Sequence, residues 1–156
     1  MTRLRLNHVG LSVLDLERAA AFYERWFGFA VAGSFTFDND PWMNRMTGFP
    51  ATRGRALHLR GVNGYLELFA FEEPAPGSAG ASTLSAPGLT HLGFEVDDVA
   101  GSYAAMAAAG VPFLSEPQDP EDGSLAVYGR DPEGNVFELM QLGGSSSAFS
   151  LDAMTG

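Results

Sequence analysis

Four side chains in this sequence have the types and spacing to do chemistry together: His8, Glu67, His91 and Glu138. Each histidine heads a matching stretch. Asn7-His-Val-Gly-Leu-Ser-Val-Leu-Asp-Leu16 aligns without a gap to Thr90-His-Leu-Gly-Phe-Glu-Val-Asp-Asp-Val99, at an offset of 83 residues (91 − 8). The glutamates match as well, since Asn63-Gly-Tyr-Leu-Glu-Leu68 lies against Gly134-Asn-Val-Phe-Glu-Leu139. The histidine-to-glutamate separations are 59 (67 − 8) and 47 (138 − 91). Self-similarity over such a length marks a duplicated supersecondary unit.

In a strand, successive side chains point to opposite faces. His8 is out of phase with Val9, Leu11 and Val13, and His91 with Leu92, Phe94 and Val96. Glu67 is likewise out of phase with Leu66 and Leu68, and Glu138 with Phe137 and Leu139. The apolar phase can therefore pack under a helix while the titratable phase faces away. If a two-fold relates the two copies, all four groups converge on one face. Carboxylates withdrawn from water need a partner or a cation. Two imidazoles and two carboxylates suit one divalent metal ion such as Zn, Ni, Co, Mn or Fe(II). Taken singly, a histidine at a strand start or a glutamate in a strand reads as structural. The repetition in type, order and phase is what carries the metal reading. His58 lies mid-strand and has no counterpart in the second copy.

The elements that must position these residues follow from periodicity. Residues 4–13 alternate as a strand, and Asp15 caps a helix whose apolar positions run from Leu16 to Phe27 before Gly28 stops it. A strand at 29–37 precedes an irregular excursion over 38–54, with room for one short helix, and strands at 55–61 and 64–71 follow. The Pro/Gly/Ser/Ala-rich stretch 72–89 reads as a linker. Then the order repeats: a strand at 90–96, a helix capped by Asp97 or Asp98 and ended by Gly110, and strands at 111–115, 124–129 and 135–142. Residues 143–156 form a Gly/Ser-rich tail in which Phe149, Leu151 and Met154 are the groups able to dock. The expectation is an α+β domain over 1–156, built from βαβββ modules at 4–71 and 90–142.

Bulk properties narrow the function. The chain has 156 residues, 46% of them hydrophobic and 18% charged, which suits a globular domain. There is no Cys, and all nine basic residues are Arg, so thiolate and lysine Schiff-base chemistry are excluded. A formal charge of −10 argues against nucleic acid and anionic membrane as partners. No apolar run reaches the roughly 20 residues of a membrane span. With no signal-peptide h-region at the start and no cysteine, the expected location is the cytoplasm.

At His8-Val-Gly-Leu-Ser-Val-Leu-Asp-Leu-Glu-Arg-Ala-Ala-Ala-Phe-Tyr23, Gly28-Phe29 and Asp131-Pro-Glu-Gly-Asn-Val-Phe-Glu-Leu139, the sequence resembles the vicinal-oxygen-chelate superfamily. That group includes glyoxalase I, methylmalonyl-CoA epimerase, extradiol dioxygenases, and fosfomycin- and bleomycin-resistance proteins. The resemblance covers about residues 4–142 and implies paired modules forming a half-open eight-stranded barrel around a metal, in a homodimer. It also implies His8, Glu67, His91 and Glu138 as ligands, in an order that looks like glyoxalase I. Extradiol dioxygenases have a non-ligand where Glu67 stands. Ser12 replaces an arginine that short bacterial glyoxalase I uses for glutathione, and the excursion is more apolar; both argue against glutathione.

The leading expectation is a lyase, isomerase or epimerase acting on a small-molecule substrate. It would transfer a proton next to a carbonyl through a metal-stabilised enediolate, with Glu138 and Glu67 as catalytic carboxylates. An Fe(II) dioxygenase and an antibiotic- or ligand-binding resistance protein are the alternatives. Trp42, Met43, Met46, Phe49, Arg53, His58 and Tyr128 are the candidate substrate contacts. Arg45, Arg53, Arg55 and Arg60 could bind a carboxylate or a CoA phosphate, or merely solvate a strand edge.

Overall fold

The structure is a computed structural model that describes residues 5–77, 83–85, 87–119, 121, 123–143 and 150–151. The chain divides into two compact units, Met1–Ala79 and Gly80–Gly156. Among the described residues they contain seven named strands in two sheets and three helices, an α+β architecture.

The first unit runs β1 (His8–Ser12), α1 (Leu16–Phe27), β2 (Ala30–Asp38), α2 (Pro41–Thr47), β3 (Arg53–Arg60) and β4 (Tyr65–Glu73). Asp15 caps α1 by accepting from the Arg18 N–H, and Gly28 closes it at φ 66°, the left-handed conformation that glycine adopts without penalty. Leu16, Ala19, Ala20 and Tyr23 recur at helical spacing and are buried, as are Leu57, Leu59, Leu66 and Leu68 of the sheet that α1 lies against. The strand order is β1-β4-β3-β2, with β1 parallel to β4 and the other pairs antiparallel.

The irregular excursion is well tied. Asp40 and Pro41 start α2, Gly48 ends it at φ 76°, and Met43 is its buried residue. Asn44 donates to Asn39 Oδ1 at 2.8 Å and accepts from the buried Thr52 hydroxyl at 2.7 Å, so the helix is stapled to the strand that follows. On β3, the ring of Phe37 lies over Gly54, where a Cβ would come within 2.8 Å of it; this position must be glycine.

The second unit runs β5 (Leu92–Glu95), α3 (Val99–Ala108), β6 (Leu125–Arg130) and β7 (Val136–Gln141), in sheet order β5-β7-β6. The cap of α3 is Asp98, which accepts from the Gly101 N–H. The strand expected at 111–115 is reduced to one isolated bridge, Phe113 with Gly129. Pro112 lacks an N–H and so cannot donate to the ladder, although its carbonyl accepts from Arg130 at 2.9 Å and Leu114 donates to Tyr128 at 2.9 Å. The eighth strand thus survives as two hydrogen bonds. Before β7, the buried Asp131 folds the turn: Oδ1 accepts from the N–H groups of Glu133 and Asn135, and Oδ2 from the Asn135 amide.

Among the described residues, no helix is long and apolar enough to cross a membrane. In the tail, the Glu95 carboxylate accepts from the Ser150 hydroxyl and from the Leu151 N–H at 2.8 Å, while the Leu151 side chain stays exposed. Phe149 and Met154 lie outside the described residues.

Candidate metal centre

Strand register builds a matching constellation in each unit. In the first, Gly10 of β1, Glu67 of β4, His58 of β3 and Gly33 of β2 stand side by side in one row. His8 lies two residues before Gly10, hence on the same face. In the second unit, Gly93, Glu138 and Tyr128 stand side by side. His91 lies two residues before Gly93, just ahead of β5.

Each histidine approaches its glutamate through Nε2. His8 Nε2 is 3.5 Å from Glu67 Oε2, and His91 Nε2 is 3.3 Å from Glu138 Oε2. The carboxylates are mostly buried, 17% and 14% exposed, whereas the imidazoles are 48% and 31% exposed. Each ring is oriented from behind by the preceding residue: His8 Nδ1 meets Asn7 Oδ1 at 2.9 Å, and His91 Nδ1 meets Thr90 Oγ1 at 2.9 Å. When Nδ1 of His8 carries the proton donated to Asn7, Nε2 of the neutral ring has only a lone pair to turn towards Glu67. Two acceptors face each other, and a cation resolves the conflict. Two donors bonded at about 2.1 Å to a common ion, at octahedral to tetrahedral angles, sit about 3.0–3.4 Å apart. The observed 3.3 and 3.5 Å lie close to that spacing and beyond the usual length of a charge-assisted hydrogen bond. Each histidine–glutamate pair therefore fits two ligand positions of a divalent metal. Among the described residues, no group of three or more His, Asp or Glu is arranged to hold a metal ion.

The second carboxylate oxygen is held from the next strand. His58 Nε2 lies 2.7 Å from Glu67 Oε1, and an ionised carboxylate only accepts, so the proton is on His58. Across β6–β7, Tyr128 stands beside Glu138 in register, and its hydroxyl hydrogen-bonds to that carboxylate. Burial pushes the Tyr128 phenol up, and the charge and hydrogen bond of Glu138 add to this, so it remains a donor at neutral pH. Tyr128 is the register counterpart of His58, which the sequence alone leaves without one. Matching by residue type pairs no histidine with a tyrosine; register does.

The other expected substrate contacts are dispersed. Trp42, Met46 and Phe49 are exposed on or just after α2, and Phe49 packs its ring edge-on against Phe71. Met43 is 1% exposed and belongs to the core. Arg53 is paired with Glu72 and Glu73, which hold its pKa up, and Arg55 is paired with Glu17. Both arginines therefore already have carboxylate partners. An open concavity of about 470 Å³ is lined by Asn7, His8, Ala32, His58, Tyr65 and Glu67. The sequence reading passes over Phe35, Phe69 and Phe71. Phe69 and Phe71 share the phase of Glu67, and that was the signal available for them.

Two sheets of this topology, each with a histidine at the head of its first strand and a glutamate on its last, define a glyoxalase-like α+β protein. The chain belongs to the Glyoxalase/Bleomycin resistance protein/Dioxygenase superfamily, whose family model matches residues 5–139. It is 25% identical over 146 residues to a lactoylglutathione lyase of Schizosaccharomyces pombe, covering 90% of this chain and 48% of that protein. The chain thus spans about half the length of that relative. It is 28% identical over 142 residues to an ethylmalonyl-CoA/methylmalonyl-CoA epimerase of Cereibacter sphaeroides, covering 88% of this chain and 98% of that protein. Among solved structures, a glyoxalase family protein from Bacillus cereus superposes with a TM-score of 0.82 at 22% identity, over 92% of this chain and 97% of that one. A fosfomycin resistance protein from Listeria monocytogenes, solved with Mn(II), superposes with a TM-score of 0.65 at 16% identity, over 99% of this chain and 100% of that one.

Proposed function

We propose that this chain is a divalent-metal-dependent enzyme of the lyase, isomerase or epimerase type, with His8, Glu67, His91 and Glu138 as the metal's protein ligands. The observation that carries this reading is the duplicated pair, an imidazole Nε2 and a carboxylate Oε2 at 3.5 and 3.3 Å, with His58 bonded to the other oxygen of Glu67 and Tyr128 bonded to Glu138. When bound, the ion supplies Lewis acidity to two neighbouring substrate oxygens.

The chain's own residues do the rest. Asn7 and Thr90 fix the ring orientations of His8 and His91. Gly10 carries no side chain beside Glu67, and nothing lies within 4 Å of where its Cβ would be, which leaves that end of the row clear for a substrate. Glu138 takes a proton from the carbon next to a carbonyl, and Glu67 is the second carboxylate assigned to relay it. The lyase and epimerase names of the two relatives support this class of chemistry.

The test is a screen of metal-loaded protein against α-hydroxythioesters, 2-oxoaldehyde adducts and catechols, with and without O₂. Proton-transfer turnover should be independent of O₂ and should fall by about 10²–10⁴-fold in Glu138→Gln with metal still bound. Turnover that requires both Fe(II) and O₂ would move the protein to the dioxygenase class. Full activity in Glu138→Gln would remove the role given to that carboxylate.

A further inference from the structure

Beyond the row of Glu67 and His58, the same face of the first sheet turns aromatic. The next row along the strands is Phe35, Ala56, Phe69 and Ser12, and the one after it is Phe37, Gly54 and Phe71. Each step of two residues moves about 7 Å along the sheet, so the first aromatic row adjoins the carboxylate. Phe35 and Phe69 meet edge to face at 6.1 Å, with Ala56 between them on β3 fully buried, and Phe35 also meets the His58 ring at 5.6 Å. Phe69 stacks on Phe71 at 5.6 Å, and Phe71 is met in turn by Phe49. Phe35, Phe69 and Phe71 are each only partly buried. The ring surface is therefore continuous from the candidate ligand to the end of α2.

The charges around this surface limit what it can take. Arg53 and Arg55, the arginines at the start of β3, are held by Glu72, Glu73 and Glu17. A phosphate or carboxylate tail finds no cation in the three rows themselves. A flat, uncharged ring matches them, because it buries apolar area and meets ring faces and edges in the geometries that aromatic pairs favour.

We propose that the site takes substrates carrying an aryl group, laid on the Phe35–Phe69 row while the substrate's two oxygens are held beside Glu67. This rests on the reading of Glu67 as a metal ligand, and the experiment separates the two ideas. Benzohydroxamate and acetohydroxamate present the same oxygen pair to a metal and differ in phenyl against methyl. Their affinities are measured by calorimetry on the full chain, with Zn(II) and without metal. Benzohydroxamate should bind Zn(II)-loaded protein at least about tenfold more tightly than acetohydroxamate. Phe35→Ala and Phe69→Ala should each lower that ratio towards one. Nuclear Overhauser contacts from the phenyl protons to the Phe35 and Phe69 rings give a second readout on unmutated protein, should a variant fail to fold. Metal-enhanced but equal binding of the two probes would overturn the aryl inference and leave the metal reading standing. If Zn(II) enhances neither probe, the metal reading fails. The ratio in metal-free protein then judges the aryl surface by the same tenfold criterion.

Discussion

The two units share a frame and differ in what lies next to it. In both, a histidine precedes a glycine by two residues on the first strand, the glycine stands beside a glutamate on the last strand, and a donor from the neighbouring strand holds that glutamate. One row further on, the first unit has Phe35, Ala56, Phe69 and Ser12, whereas the second has Gln118, Ala126, Met140 and Glu95. Only the small alanine is common to both. A repeated frame serves a demand that both halves meet, the orientation of a histidine–glutamate pair. The divergent rows carry whatever is asymmetric, which for an enzyme is its substrate.

The largest stability effect should be the same in both units, because the buried faces are equivalent. Leu68 is 0% and Leu139 is 1% exposed, each next to its glutamate in sequence. Truncation to alanine at either position should cost about 2–5 kcal/mol in urea unfolding. Loss at one position with no loss at the other would break the equivalence of the cores. Next come the two residues behind the carboxylates. His58→Ala and Tyr128→Phe should each weaken metal affinity by about 10–100-fold in competition with a chromophoric chelator. Equal effects would support one shared orienting role. An effect confined to one unit would show that one carboxylate needs no support.

The smallest effect belongs to the second unit alone. The hydrogen bonds from Ser150 and Leu151 hold the pKa of Glu95 below the ordinary carboxylate range. A depressed pKa makes this contact fully effective above about pH 4.3, and it is lost as pH falls through the lowered folded-state value. The protection of the Leu151 amide, exchange rate taken relative to the unfolded chain at the same pH, should therefore exceed that in Ser150→Ala at neutral pH and fall on acidification below that range. Exchange that ignores the Ser150→Ala change would remove the contact from the account.

Much of this was legible in the sequence because it depends on period and repeat. Alternation around His8, Glu67, His91 and Glu138 gave their shared phase, and Asp15, Gly28 and Asp98 marked helix ends by their side-chain chemistry. Pairing across strands was not legible. The match of His58 to Tyr128 and the rows of phenylalanines exist only once β3 lies on β4 and β6 on β7 in a fixed register. The strand expected at 111–115 shrinks to a single bridge for the converse reason: its apolar residues fit a strand, but Pro112 withholds a donor from the ladder. The choice between Asp97 and Asp98 as cap turned on one residue of phase, which local sequence does not resolve.

The central claim is that the two histidine–glutamate pairs act on one metal ion. Its most direct test is the stoichiometry of Zn(II) binding to the intact chain and to His8→Ala and His91→Ala, measured by calorimetry with metal analysis of the dialysed protein. The account predicts one ion per chain, with affinity reduced by more than about 100-fold in each variant, since either change removes a ligand from the same site. Two ions per chain, with each substitution removing one and leaving the other at full affinity, would contradict it.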